Sequence, residues 1–199
     1  MRLAIADPPY LGRGDRWYGE GRGAGRNRQT TNGRNGRKPD LHPGATEWDD
    51  PARHVQLIEE LERDFDGWVL AGAADSTRLL LAAAPERAQL AIWHRPNSMP
   101  GGARLLNSWE PVVVRVPDAR RDRSTGLSVR DVLASPVLPQ GFLGSKPPAW
   151  TRWALAMLGY DPSRDDLLDI FEGSGAVTAA ADGMLALVPE PHVSEEGDR

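Results

Sequence analysis

Short apolar runs alternate with amphipathic stretches along this chain. Leu3-Ala4-Ile5-Ala6 predicts a short buried strand over Met1 to Ala6. Residues 11–50 then lose aliphatic side chains and gain Gly, Arg and Asn, which predicts a long flexible loop. Asp50-Pro51 marks a helix start, a capping residue followed by Pro at the first helical position. Val55, Ile58, Leu61 and Phe65 follow at helical spacing, and Gly67 closes the pattern. Trp68 to Ala71 predicts a second strand. Asp75-Ser76-Thr77 predicts a capped helix through about Ala84. Gln89 to Trp93 predicts a third strand, stopped by Pro96.

Residues 97–108 read as loop, and Val112-Val113-Val114 as a fourth strand. Residues 117–145 mix charge, Gly and Pro and read as an insertion with at most one short helix. A helix is expected from about Pro148 to Leu158, with Trp150, Trp153, Ala154 and Met157 along one face and Gly159 behind it. Leu167 to Phe171 predicts a fifth strand, Ala176 to Ala181 a short helix, and Met184 to Val188 a sixth strand. The polar tail over 192–199 is expected to be disordered. There is no internal repeat. Strands alternating with helices predict one α/β domain over 1–199, with a mostly parallel sheet and flanking helices.

Composition narrows the function. The 199 residues are enough for one domain with a real core. No apolar run approaches the ~18 residues of a membrane span, and no secretory leader pattern opens the chain. The absence of cysteine excludes disulfides, thiolate zinc sites and a cysteine nucleophile, and fits a reducing cytoplasm. With a net charge of −4, binding to a polyanion requires local basic patches.

Two motifs carry chemistry, each where a predicted strand ends. Asp7-Pro8-Pro9-Tyr10 follows the first strand, and Phe171-Glu172-Gly173-Ser174-Gly175 follows Leu167-Leu168-Asp169-Ile170. In open α/β sheets ligands bind at the carboxyl ends of strands. Gly173 and Gly175 let backbone approach a ligand, and the helix start behind them supplies unpaired N–H groups. A glycine-rich turn that binds nothing is the alternative. Asp and Pro are likewise ordinary turn residues. Yet an Asp carboxylate and a backbone carbonyl can accept both hydrogens of an aromatic amino group, whose lone pair is otherwise delocalised into the ring. Two prolines stiffen the carbonyl's direction, and a Tyr ring offers a stacking face for a base taken out of a duplex.

Gly144-Ser145-Lys146-Pro147, ahead of a helix, looks like the K-P element that precedes the cofactor motif in one family. Trp93-His94-Arg95-Pro96-Asn97 and Asn107-Ser108-Trp109-Glu110-Pro111 resemble that family's middle strands. In this order the elements resemble the β class of DNA amino-methyltransferases, small phage or prophage enzymes most of all. The resemblance covers about residues 1–10 and 50–190. It implies a Rossmann-like sheet with circularly permuted motif order, S-adenosylmethionine as cofactor and DNA as partner. Asp7, Pro8, Pro9 and Tyr10 would hold and stack the target base. Asp169, Phe171, Gly173 and Gly175 would line the cofactor pocket, and Ser145 and Lys146 would close its methionine end. D-P-P-Y favours adenine, since cytosine-directed relatives more often begin that motif with Ser.

Two positions depart from the pattern. Glu172 stands where small residues or Pro are usual; contact with the cofactor's ammonium or sulfonium and a solvated side chain are both open. Relatives carry an acidic residue for the ribose hydroxyls, and Glu190, between two prolines, is the candidate. Arg13, Arg16, Arg22, Arg26 and Arg28 in the 11–50 loop are expected to meet DNA phosphates; a solvated linker is the alternative. Arg120, Arg121 and Arg123 lie in the 117–145 insertion, where the β class carries its target-recognition region. His42, His54, His94 and His192 have no metal-ligand spacing and read as surface or structural, and Trp150 and Trp153 read as core. The leading reading is methyl transfer to the adenine amino group. Its alternatives are the same transfer to cytosine N4 and a cofactor-deficient remnant that only binds DNA. Monomer and homodimer are both open.

Overall fold

The computed structural model describes residues 1–18, 44–98, 104–122, 126, 128–137, 146–172 and 176–185. In chain order they form β1 (Arg2–Ala6), α1 (Gly14–Tyr18), a 3-10 turn (Ala45–Asp49), α2 (Pro51–Asp64) and β2 (Gly67–Ala71). A 3-10 turn (Ala74–Ser76) leads into α3 (Thr77–Ala83), followed by β3 (Gln89–His94) and β4 (Trp109–Arg115). A 3-10 turn (Asp118–Arg120), β5 (Val132–Ala134), α4 (Pro148–Leu158), β6 (Asp166–Asp169) and α5 (Ala176–Leu185) complete the order.

The strands form one sheet in the order β5-β3-β4-β2-β1-β6. β1 runs parallel to β2 and β6, and β3 parallel to β5. β4 alone is reversed, pairing antiparallel with both β2 and β3. A parallel crossover needs a dozen or more residues, usually helical. The described parts of the β3–β4 connection carry no helix, so β4 folds straight back on β3.

The apolar runs are continuous because the central strands are buried on both faces. Leu3, Ile5, Val69, Val112 and Val114 face one side and pack with Trp150, Leu155 and Leu158 of α4. Ala4, Ala6, Trp68, Leu70 and Val113 face the other and pack with Leu57, Ile58 and Leu61 of α2 and Leu80 of α3. Burying each large side chain contributes roughly 1.5–3 kcal/mol. Trp150 and Trp153 are core, as expected. Asp50 caps α2 by accepting from the Ala52 amide at 2.9 Å, behind Pro51 at the first turn. α4 ends at Gly159 with φ 63°; the Gly159 and Tyr160 amides return to Ala156 and Leu155, a Schellman closure.

Several expectations are corrected. The 11–50 segment is anchored at both ends, since Asp49 accepts from the Gly14 and Asp15 amides at 2.8 and 3.0 Å and thereby caps α1. Its middle, 19–43, and the 192–199 tail lie outside the described residues. Ser76 and Thr77 do not cap α3; their hydroxyls donate back to the Ala73 and Ala74 carbonyls, each at 2.8 Å. The 117–145 insertion contains β5 as well as a 3-10 turn. β6 stops at Asp169, whose carboxylate accepts from the Phe171 amide at 3.2 Å and turns the chain. Met184 and Leu185 end α5 and start no sixth strand there; 186–188 lie outside the described residues.

Candidate active site

Asp7 sits at the carboxyl end of β1, between the carboxyl ends of β2 and β6. Pro8 and Pro9 behind it are buried. The two prolines fix φ, and the Tyr10 carbonyl then accepts from the Arg13 amide at 2.8 Å, closing a turn that aims the Tyr10 ring inward. Lys146, at the approach to α4, reaches the same point. Its Nζ donates to Asp7 Oδ1 and Oδ2 at 2.7 and 2.8 Å and to the Tyr10 oxygen at 2.8 Å. The Tyr10 hydroxyl in turn donates to Glu110 Oε2 at 2.5 Å. Glu110, near the start of the reversed β4, takes Arg95 at 3.1 Å on its other oxygen, and Lys146 lies 3.6 Å away. Arg95, after β3, also donates to the Asn107 carbonyl and side-chain oxygens at 3.0 and 3.1 Å.

Four segments therefore converge on one rim through a chain of charged hydrogen bonds. The Lys146 side chain is only 7% exposed and Glu110 12%. Burial would lower the Lys146 ammonium, but Asp7 and Glu110 outweigh it and hold its pKa above the ordinary value. Burial pushes the Asp7 carboxyl up; Lys146 opposes the rise and Glu110 adds to it. Burial, then the Glu110 and Asp7 charges, push the Tyr10 phenol well above 10, so it stays a neutral donor. The Lys146 ammonium also lies over the Tyr10, Trp93 and Trp150 rings at 5.1, 5.7 and 5.6 Å.

A cavity of about 210 Å³ opens over Asp7, Tyr10, Lys146, Glu110, Arg95 and Asn107. Ala73 and Ala74, just past β2, add short side chains to its wall, and Arg13 and Tyr18 line it too. Arg13 is held by Asp75, with nitrogen–oxygen distances of 2.9 and 3.3 Å. Asp75 is 65% exposed, so this pair is worth at most about 1 kcal/mol and is easily exchanged.

The second motif meets the first through strand pairing. Ile5 faces Asp169 across β1 and β6, and the Ile170 amide donates to the Ile5 carbonyl at 3.0 Å. Burial raises the half-buried Asp169 carboxyl, and the charges of Asp7 and Glu172 add to it against the Phe171 amide. The Phe171 ring packs edge-on against Trp48 at 5.0 Å, on the α2 side of the sheet. Gly173 and Gly175, with Ser145, Glu190, Arg22, Arg26, Arg28 and Arg123, lie outside the described residues, as does the side chain of Arg16.

Lys146, expected at the methionine end of a cofactor, has its ammonium on Asp7 and Tyr10. Arg120 and Arg121 are also placed differently from expectation. Because β4 is reversed, the segment after it emerges at the amino ends of the other strands. There Arg120 donates to both oxygens of Asp165 at 2.7 and 2.8 Å, and Arg121 lies 3.8 Å from Asp118. Glu110 and Arg95 are site residues that sequence reading named only as part of a strand pattern. A carboxylate inside an apolar strand, with Pro behind it, was the available signal.

No family model matches the chain, and no curated protein matches it in sequence. A solved structure described as the M1.HpyAVI–SAM complex superposes with a TM-score of 0.53 at 14% identity, covering 92% of this chain and 78% of that one. The likeness is one of fold: a mixed α/β architecture with a mostly parallel, Rossmann-like sheet and flanking helices.

Proposed function

We propose that this chain is an S-adenosylmethionine-dependent methyltransferase acting on the exocyclic amino group of adenine in DNA. The observation that carries the reading is the Asp7–Lys146–Tyr10–Glu110 constellation, set in a small cavity at the carboxyl end of β1 with the second motif beginning on the adjacent strand. The neighbour's description as a SAM complex and the D-P-P-Y motif support it independently. That β1 and β6 are adjacent, although far apart in sequence, supports the permuted motif order of the β class.

The cavity of about 210 Å³ is below the roughly 300–1,000 Å³ of a typical small-molecule pocket, which suits one planar base. A base inside a duplex must leave the stack to reach it. A carboxylate has about four lone-pair sites. Lys146 uses two on Asp7 and leaves the others for amino hydrogens. The raised Asp7 carboxyl is a better base than an exposed one, so it can take the proton the nitrogen sheds after methylation. Tyr10, held by its oxygen, presents its ring at a fixed angle.

The rim beside the cavity fits the cofactor's charge. Among the described residues Asp169 and Glu172 form no ion pair, so both carboxylates are open to a cationic ligand. S-adenosylmethionine carries a sulfonium and an ammonium and supplies an electrophilic methyl group when bound. Asp169 and the turn after it would hold that cation, while Lys146 stays on Asp7. DNA would approach the same rim, with Arg13 free to leave Asp75 for a phosphate.

Nucleoside analysis of DNA from cells expressing the chain tests the reading. N6-methyladenine is expected. N4-methylcytosine would transfer the assignment to the cytosine amino group. Unmodified DNA, with no binding of labelled S-adenosylmethionine, would leave a DNA-binding remnant.

A further inference from the structure

Glu110 has no part in the reading above beyond holding its neighbours, and its burial calls for a reason. A buried carboxylate costs several kcal/mol unless it is paired, and Glu110 is paired three ways. Arg95 takes Oε1 at 3.1 Å, Tyr10 donates to Oε2 at 2.5 Å, and Lys146 lies 3.6 Å from Oε2. Among the described residues, Asp7, Arg13 and, from α1, Tyr18 also face this knot.

Two carboxylates here compete for one phenolic hydrogen. Tyr10 gives it to Glu110, yet its oxygen shares the Lys146 ammonium with both Asp7 oxygens, at 2.7 to 2.8 Å, so the two side chains meet at one point. If the hydrogen turned to Asp7, it would fill an acceptor site that the substrate's amino group needs. Lys146 already fills two. Resting on the methyltransferase reading of this site, we infer that Glu110 is a positioning residue: it draws the Tyr10 hydrogen away from Asp7 and so keeps Asp7 open to the base. Arg95 holds Glu110 Oε1 at 3.1 Å and so fixes Oε2 toward the Tyr10 hydroxyl.

The variants Glu110→Gln, Tyr10→Phe and their double test this. With Glu110→Gln the neutral amide loses the hydrogen to Asp7, and kcat should fall on the order of a hundredfold, as misplaced reacting groups do, with KM for DNA little changed. Adding Tyr10→Phe removes the hydrogen altogether and should bring part of that rate back. A double variant slower than Glu110→Gln alone would overturn the inference. Glu110→Asp, which keeps the charge but draws the oxygens back by one methylene, should show the same fall and the same rescue. A second readout needs neither DNA nor cofactor. Phenolate absorbance, taken as the difference between chains with and without Tyr10, should appear at lower pH in Glu110→Gln than in the natural chain. Coincident titrations would also overturn it. A natural chain that transfers no methyl group would sink the methyltransferase reading, while the titration would still decide whether Glu110 governs Tyr10.

Discussion

Tyr10 is gripped by its oxygen, and that changes what its substitutions should do. A stacking role alone would make Tyr10→Phe harmless. Here the hydroxyl accepts from Lys146 at 2.8 Å and donates to Glu110 at 2.5 Å, so Tyr10→Phe removes the anchor while keeping the ring. Methyl transfer should slow about tenfold, the rate equivalent of one hydrogen bond of about 1.4 kcal/mol. Tyr10→Ala should lose more, because the stacking face goes too. Single-turnover rates of the two variants check this; equal rates for Phe and the natural residue would return the role to stacking alone. The D-P-P-Y motif made Asp7 and Tyr10 legible in the sequence. Of their partners, Lys146 was marked by the K-P element, though for the cofactor's methionine end, whereas Glu110 was not, because a lone Glu in a strand acquires meaning only once β1, β4 and the approach to α4 meet at one rim.

Asp165 makes a second residue-scale case, at the opposite end of the sheet. Its carboxylate is 1% exposed. Burial alone would raise it, but Arg120 and the Asp161 amide outweigh burial and bring it down to about 2. A depressed carboxyl contributes stability that is fully present above its ordinary value of 3.8 and lost as pH falls toward 2. The shift is worth roughly 2 kcal/mol. Removing Arg120 should cost roughly 1.5–3 kcal/mol, the range of a hydrogen bond to a charged group, because the Met1 ammonium at 3.1 Å still pairs with Asp165. Urea titrations near neutrality should show that loss in Arg120→Met. Those between pH 4 and 2 should show the natural chain losing the Asp165 contribution and Asp165→Asn not. An acid limb unchanged in Asp165→Asn would contradict the assignment.

At the scale of elements, pattern was a good guide wherever one segment decides its own conformation. Asp50-Pro51 and Gly67 bracket α2, and the continuous Leu3–Ala6 and Val112–Val114 runs are strands buried on both faces. It was a poor guide where a neighbour decides. β5 is three residues in a charged segment and exists because β3 offers an edge. β4 carries the same valine signature whichever way it runs. Its direction was readable only from the loop-like 97–108 stretch between it and β3. That reversal moves Arg120 away from Asp7 and onto α4. Gly159 is the joint there, with φ 63° and the Arg120 Cδ 3.2 Å from where a Cβ would stand. Gly159→Ala should therefore cost roughly 1–2 kcal/mol of stability, the left-handed penalty of an L-residue. Thermal unfolding would measure it, and an unchanged midpoint would refute the strained closure.

For the whole molecule, the reversed strand divides the charge. Asp7, Lys146, Glu110, Arg95 and Arg13 share the carboxyl rim, whereas Arg120 and Arg121 lie at the other. With a net charge of −4 the chain would not attract the proposed DNA partner uniformly, so the rim that carries the basic contacts would decide how it docks. Arg13→Ala should weaken binding to all duplexes alike and reduce the salt slope by about one, the mark of a lost phosphate contact. Arg121→Ala should leave both unchanged. Filter binding over a salt series distinguishes them; an Arg121 effect with no Arg13 effect would reverse the docking face.

The central claim is that Asp7 acts on the base while a neighbouring part of the same rim holds the cofactor. Asp7→Ala tests it with two readings on one sample: retention of labelled S-adenosylmethionine, and transfer of its labelled methyl group to duplex DNA. The account predicts that the variant retains the cofactor at nearly the natural level and transfers no methyl group. Transfer at the natural rate from the Asp7→Ala chain would contradict it.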